Sequence, residues 1–263
     1  MYRLPRNYEL NKEQQMGSFS GRIAIVTGAA SGIGECVART IHALGGTVFL
    51  ADVNLSKVGV VASELKSRAY PVQLDVRDAH AWQQLFRHAF AIAGVPDILV
   101  NAAGVLLKSS IDELNFADWD LTRAVNLDGV LLGSFLFLEQ ERHRQGVIVN
   151  LASTSSMTGE AEWISYCVSK GALLAATRAM SGVAKAAHSR VVALCPGGTD
   201  TPMVRLFLEN DDTASAEKAW LAPQPLRRFA SPQEIADVVV FAASDEASWL
   251  NGSMIRVDGG KLA

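Results

Sequence analysis

From Arg22 onward the chain alternates two hydrophobic patterns. Short β-branched runs predict seven strands: "RIAIVT" (22–27), "TVFLAD" (47–52), "YPVQLD" (70–75), "DILVN" (97–101), "GVIVNL" (146–151), "RVVALC" (190–195) and "MIRVD" (254–258). Between them, amphipathic or wholly apolar segments predict helices over 32–44, 56–67, 79–93, 118–142, 163–187 and 232–243. The strands are apolar almost continuously, as strands buried on both faces are. With helix-length crossovers, this predicts a parallel sheet covered by helices on both sides. No repeat, low-complexity tract or linker interrupts the pattern, so residues 20–263 read as a single doubly wound α/β domain. The stretch 199–231 breaks the rhythm: it is rich in Pro, Asp and Thr and carries the apolar residues Met203, Leu206, Phe207 and Trp220. A loop-and-short-helix insertion of this length is expected to be a lid over a site.

Composition narrows the function classes. Of 263 residues, 49% are apolar, enough for a large core. The 24 basic and 27 acidic residues nearly balance and the basic ones are scattered, which gives no support to nucleic acid or an anionic membrane as a partner. The longest apolar runs, "GVLLGSFLFL" and "VVVFAA", are too short to span a bilayer. Cys36, Cys167 and Cys195 are odd in number, widely spaced and free of any CxxC, so reduced thiols in the cytoplasm are expected. His80, His88 and His143 have no partner at metal-ligand spacing, and no metal is assigned. Residues 1–19 are polar without an apolar h-region. They are expected to form an arm, mobile or packed on a neighbouring subunit, and Met16 is an alternative start.

Three local features carry candidate chemistry. "VTGAASGIGE" closes the first strand and opens the first helix. Gly28, Gly32 and Gly34 would let the backbone approach a pyrophosphate resting on the helix N-terminus; a tight β-to-α turn is the other reading. Asp52 ends the second strand, where a carboxylate accepts hydrogen bonds from adenosine ribose hydroxyls and repels a 2′-phosphate; a plain strand-end acid is again the alternative. Val53 follows, and the loop offers Ala29, Ala30 and Ser31 with no Arg or Lys, so NAD is favoured over NADP. Finally "YCVSK" (166–170) puts Tyr166 and Lys170 four residues apart, on one helix face. Alone, that pair reads equally as a surface contact.

In combination these features resemble the short-chain dehydrogenase/reductase family from about Gly21 to Gly260. The family's T-G-x-x-x-G-x-G is met by Thr27, Gly28, Gly32, Ile33 and Gly34, with Ser31 inside it. Its adenine-contacting D-V pair appears as Asp75–Val76, and its N-N-A-G segment as Asn101, Ala102, Ala103 and Gly104. Its helix Asn corresponds to Asn126, and its catalytic Ser to Ser153, 13 residues before Tyr166. Its P-G motif is "CPGGTDTPM", which adds Pro196, Gly197, Thr199, Thr201 and Met203 to the implied cofactor contacts, together with Tyr166 and Lys170. "SPQEIADVVVFAASDEASWLNGSMIRVDGG" follows the family's closing segment almost throughout. The sequence departs from the family in three places. "EQERHRQG" lacks the usual glycine-rich tail, Val192 replaces a common Asn, and Gly198–Thr199 stands where a bulkier aliphatic pair is usual, which predicts a wider nicotinamide end.

The resemblance implies a Rossmann-like sheet of order 3-2-1-4-5-6-7, a nicotinamide cofactor, and a homotetramer or dimer built on the helices carrying Asn126 and Tyr166. In the chemistry it implies, Tyr166 exchanges the alcohol proton and Lys170 lowers the phenol's pKa. Ser153 holds the substrate oxygen, and Asn126 holds a water of a proton relay. The pocket is expected to contain Leu106, Ser153, Ser155, Trp163, Gly198, Phe207 and Trp220, a lining suited to a small or medium apolar secondary alcohol, diol or ketone. A biosynthetic ketoreductase, a non-catalytic NAD-binding regulator and a sugar-nucleotide epimerase are the rival readings. The last lacks the chain length for its substrate domain.

Overall fold

The computed structural model describes residues 18–140, 145–184, 189–208, 213–222 and 224–263. All seven expected strands form within two residues of their expected ends: β1 (Ile23–Thr27), β2 (Thr47–Asp52), β3 (Ala69–Gln73), β4 (Ile98–Asn101), β5 (Val147–Leu151), β6 (Arg190–Pro196) and β7 (Met254–Val257). They make one parallel sheet in the order β3-β2-β1-β4-β5-β6-β7. The chain runs outward from β1 in both directions, and the strand order reverses between β1 and β4. Ligands of open α/β sheets bind outside the strand C-termini at such a reversal.

The helices are α1 (Gly32–Ala43), α2 (Leu55–Leu65), α3 (Ala79–Ile92), α4 (Phe116–Arg123), α5 (Gly129–Gln140), α6 (Ser155–Thr158), α7 (Ile164–Ala184), α8 (Pro202–Leu208), α9 (Thr213–Leu221) and α10 (Pro232–Ala243). Successive strand residues face opposite sides, and the core divides accordingly. Ala24 and Val26 of β1 pack with Val37 and Ile41 of α1, Val58 of α2 and Val239 of α10. Ile23 and Ile25 pack with Trp82 and Leu85 of α3, Phe137 of α5 and Ala184 of α7. Burial on both faces explains why the strands lack polar alternation. Helix starts are fixed by side-chain caps: Asn54 for α2, Asp78 for α3, Asn115 for α4, and a reciprocal Ser231–Glu234 box with Pro232 for α10.

Two expectations are corrected. The single helix expected over 118–142 is three pieces, because a π-helical turn at Ala124–Asp128 separates α4 from α5. The combined run Phe116–Gln140 is also long and apolar enough to cross a bilayer, contrary to the estimate from its apolar core alone. Here its buried residues Val130, Gly133, Ser134 and Phe137 pack inside the fold. Residues 1–17, positions 141–144 in the middle of "EQERHRQG" with His143, and positions 185–187 of the helix expected over 163–187 lie outside the described residues.

Candidate active site

The glycine loop forms because β1 must reverse into α1 against the end of β4. Gly28 has φ +67°, and a Cβ there would stand 2.8 Å from the Ala103 nitrogen; at Gly34 it would collide with the Gly28 carbonyl. Thr27 Oγ1 accepts from the N–H groups of Ala102 and Ala103, both at 3.1 Å, and locks the two strand ends together. A cavity of about 390 Å³ opens over this junction. It gathers Gly28, Ser31, Gly32, Ile33 and Gly34 from the loop after β1 and the first turn of α1, Asp52 and Val53 at the end of β2, and Asp75 and Val76 after β3. Ala102, Ala103 and Gly104 follow β4, and Thr201 and Met203 close the far side. Ala51, Leu74, Arg77, Val105, Leu121, Val125 and Pro202 complete the lining and were not expected. Only Arg77 had a sequence signal, two residues after Asp75, whose carboxylate it grips with Nη2 at 2.6 Å and Nε at 2.9 Å. That guanidinium holds the Asp75 carboxyl below its usual range.

The residues fit a dinucleotide. Gly28 and Gly34 allow a close backbone approach that any side chain would block. The Asp52 carboxylate is pre-oriented at the cavity wall, accepting from the Ala30 N–H at 3.2 Å and the Asn54 N–H at 2.9 Å. Asn101 does not join them. Its amide donates to Asn150 Oδ1 at 2.9 Å and Ser134 Oγ at 3.2 Å, and Asn150 in turn donates to Thr177 Oγ1. It is a buried tie between strands and helices, not a wall of the cavity. Pro196, Gly197 and Thr199 also lie off the cavity lining. The Pro196 carbonyl accepts from Thr154, the Gly197 N–H donates to Val257, and Thr199 bridges to Ala230.

Asn126 from the π-turn and Lys170 from α7 meet at the cavity's edge, and Lys170 leads to Tyr166 on the same helix and through its hydroxyl to Ser153 after β5. Gly104 marks the meeting point: a Cβ there would lie 3.3 Å from Asn126 Oδ1, 3.6 Å from Lys170 Nζ and 3.9 Å from the Met203 methyl. Asn126 Oδ1 accepts from the Val105 N–H at 2.8 Å, and Nδ2 donates to the Val105 carbonyl at 2.9 Å and to Ser169 Oγ at 3.3 Å. The amide therefore fastens the loop after β4 to the π-turn. Lys170 Nζ donates to the Leu151 carbonyl at 2.7 Å and sits 5.7 Å from the centre of the Tyr166 ring. Burial pulls the Lys170 ammonium down to about 8. Burial also pushes the Tyr166 phenol up to about 12, against a smaller lowering by the Ser153 hydroxyl. In the protein alone, burial therefore sets the direction of the phenol's shift.

The expected pocket residues separate into two groups. Trp163, Phe207 and Trp220 do come together, with ring centres 5.4 Å apart for Trp163–Phe207 and 4.8 Å for Trp163–Trp220; Phe229, not foreseen, lies 6.3 Å from Trp220. This aromatic cluster joins α8 and α9 to the residue one turn before Tyr166. Trp163 Nε1 and Gln224 Nε2 are buried there without a partner among the described residues. Leu106 is half-buried on the loop after β4. Ser155 instead turns its hydroxyl to Glu160 Oε2 at 3.2 Å, while its N–H donates to Ser153 Oγ at 3.1 Å. The widening expected at Gly198 is also absent, because Gln224 and the Phe229 ring occupy the space a side chain would take.

A family model described as enoyl-(acyl carrier protein) reductase matches residues 28–261. The chain is 36% identical to meso-2,3-butanediol dehydrogenase of Serratia marcescens over 93% of its length and 96% of the relative's. It is 35% identical to cis-4-hydroxycyclohexanecarboxylate dehydrogenase of Sinomonas cyclohexanicum, over 94% and 98%. It is 32% identical to cyclopentanol dehydrogenase of Comamonas testosteroni, over 94% and 100%. With its sheet order, glycine loop and Ser–Tyr–Lys edge, the chain belongs to the short-chain dehydrogenase/reductase family of oxidoreductases.

Proposed function

We propose that the chain interconverts a secondary alcohol or diol and the corresponding ketone with NAD. The observation that carries this reading is the linked set Ser153, Tyr166, Lys170 and Asn126, of which Lys170 and Asn126 meet at Gly104 on the wall of the cavity that Asp52 also lines. NAD, when bound, supplies the hydride acceptor or donor. The glycine loop and the N-terminus of α1 would hold its pyrophosphate, and Asp52 its adenosine ribose, against a 2′-phosphate. Ser153 holds the substrate oxygen, and its own oxygen is fixed by the Ser155 N–H. Tyr166 exchanges the proton with that oxygen. Since burial alone keeps the phenol protonated, it acts as a base only when positive charge is brought beside it, and Lys170 together with an oxidised nicotinamide is that charge. Asn126 keeps the Val105 loop and the Lys170 end of α7 in register.

The aromatic cluster of Trp163 with Phe207 of α8 and Trp220 of α9 supports an apolar, preferably cyclic substrate. The names of the three relatives point the same way, each a dehydrogenase of a hydroxylated compound, two of them cyclic. The same residues run the reduction in reverse, so a ketoreductase differs in direction, not in site. The free thiols Cys36, Cys167 and Cys195 accord with the reducing cytoplasm. Exposed Leu131 and Phe135 on α5 and Val168 on α7 accord with a homo-oligomer, a tetramer or dimer. The reading is tested by NADH formation from a panel of secondary alcohols and diols, with NADP as control. Turnover of at least one cyclic or vicinal hydroxyl substrate, faster with NAD, is expected. Equal rates with NADP would remove the role given to Asp52.

A further inference from the structure

We propose that Lys261, on the turn after β7, is a positioning residue for Ser153 and Tyr166, acting across the Glu160 carboxylate and Ser155. This rests on the acid–base reading of Ser153 and Tyr166. The contacts form one line. Lys261 Nζ meets Glu160 Oε1 at 3.0 Å, Ser155 Oγ donates to Glu160 Oε2 at 3.2 Å, and the Ser155 N–H donates to Ser153 Oγ at 3.1 Å. The ion pair is mostly shielded, with side chains 14% and 25% exposed, so water screens it less than a surface bridge. Asp258 folds the turn that delivers Lys261, accepting from the N–H groups of Gly260 and Leu262, both at 3.1 Å. Glu160 is itself anchored at α7, its N–H donating to Cys167 Sγ at 3.2 Å.

Two consequences follow. With Ser153 Oγ accepting from Ser155, its proton is left to donate, as a group holding a substrate oxygen must. Second, Glu160 is the carboxylate that bears on the phenol. The groups facing Tyr166 are Lys170 and Cys167 from α7, Ser153 from the end of β5 and Glu160 from the loop, while Cys195 of β6 faces Lys170. Burial raises the Tyr166 phenol most, Glu160 adds to it in the same direction, and Lys261 is the cation paired with that carboxylate. Removing Lys261 leaves an uncompensated anion beside the group that must become one.

The test is the pH profile of kcat for alcohol oxidation by the full chain in Lys261→Met, Lys261→Arg, Glu160→Gln and the Lys261→Met/Glu160→Gln double variant. For Lys261→Met the rising limb is expected to move up by roughly half a unit to one unit, a loss of about 3- to 10-fold in kcat below the limb, with the KM for NAD within about twofold. Lys261→Arg restores the wild-type limb, Glu160→Gln moves it the opposite way, and the double variant returns towards wild type. Opposite signs from the two single variants are not what simple loss of structure produces. Should Lys261→Met fail to fold, Glu160→Gln and the double variant carry the same comparison. An unmoved limb in Lys261→Met, or a Glu160→Gln limb that stays or moves up, overturns the proposal. Tyr166→Phe in the same series separates the levels: turnover that survives it removes the acid–base reading itself, whereas an unmoved Lys261→Met limb in a Tyr166-dependent enzyme removes only this inference.

Discussion

Burial makes the charged forms of Lys170 and Tyr166 costlier than in water, and the fold's own stability reports it. Lys170 titrates at about 8 in the fold against 10.5 when unfolded, so the unfolded chain binds more protons between those values and stability rises with pH across that window. The opposite sign belongs to Tyr166 and to the thiols of Cys36, Cys167 and Cys195. Their raised values favour the fold at lower pH, and that contribution is lost above about pH 9 to 10, where the unfolded groups ionise. Between pH 8 and 9, therefore, the Tm of the wild type should rise more steeply than that of Lys170→Met. Equal slopes by differential scanning calorimetry would contradict the burial of a charged-state penalty at Lys170. The identities of Asn126, Ser153, Tyr166 and Lys170 were legible because their spacing is local or motif-like. Their electrostatics were not: the sequence places an ammonium one turn from a phenol but does not show how little water surrounds both.

At the scale of elements, the close approach of α3 and α5 decides what the second core tolerates. A Cβ at Gly133 would fall inside contact distance of the Trp82 ring, whereas at Gly59 of α2 it would meet nothing within 4 Å. Gly133→Ala should then cost about 1–3 kcal/mol by overpacking, and Gly59→Ala should be neutral or stabilise by about 0.5–1 kcal/mol through helix propensity. Denaturant midpoints of the two variants check this pair. A harmless Gly133→Ala would mean that α5 stands off Trp82. The strands were legible because each is buried on both faces and so uninterrupted in sequence. The π-turn was not. It follows from Asn126 reaching the Val105 backbone 21 residues away, a contact that no periodicity within 118–142 encodes. Asn101 misled for a related reason, since whether an Asn faces a cavity or a neighbouring Asn150 is decided by strand pairing.

The whole molecule presents apolar residues that its own fold leaves uncovered. Phe135 on α5 is 59% exposed and Trp249, before β7, is 98% exposed. If these are faces between copies, sedimentation should give a dimer or tetramer, and Phe135→Lys or Trp249→Lys should lower its order without unfolding the protomer. A monomeric wild type at micromolar concentration would leave those faces without this explanation. At the same scale lie the parts of the site that sequence reading missed. Glu160, Gln224, Phe229 and Lys261 come from three separate loops and reach the site only because the lid exit and the turn after β7 both close on the ends of β5 and β6. The central claim is that Tyr166 moves the proton. It is tested most directly by NADH formation from a secondary alcohol by the wild type and by Tyr166→Phe, with NAD affinity measured on both. A kcat lower by roughly 10²- to 10⁴-fold at unchanged NAD affinity is the predicted result. A variant turning over within a few-fold of the wild type would contradict it.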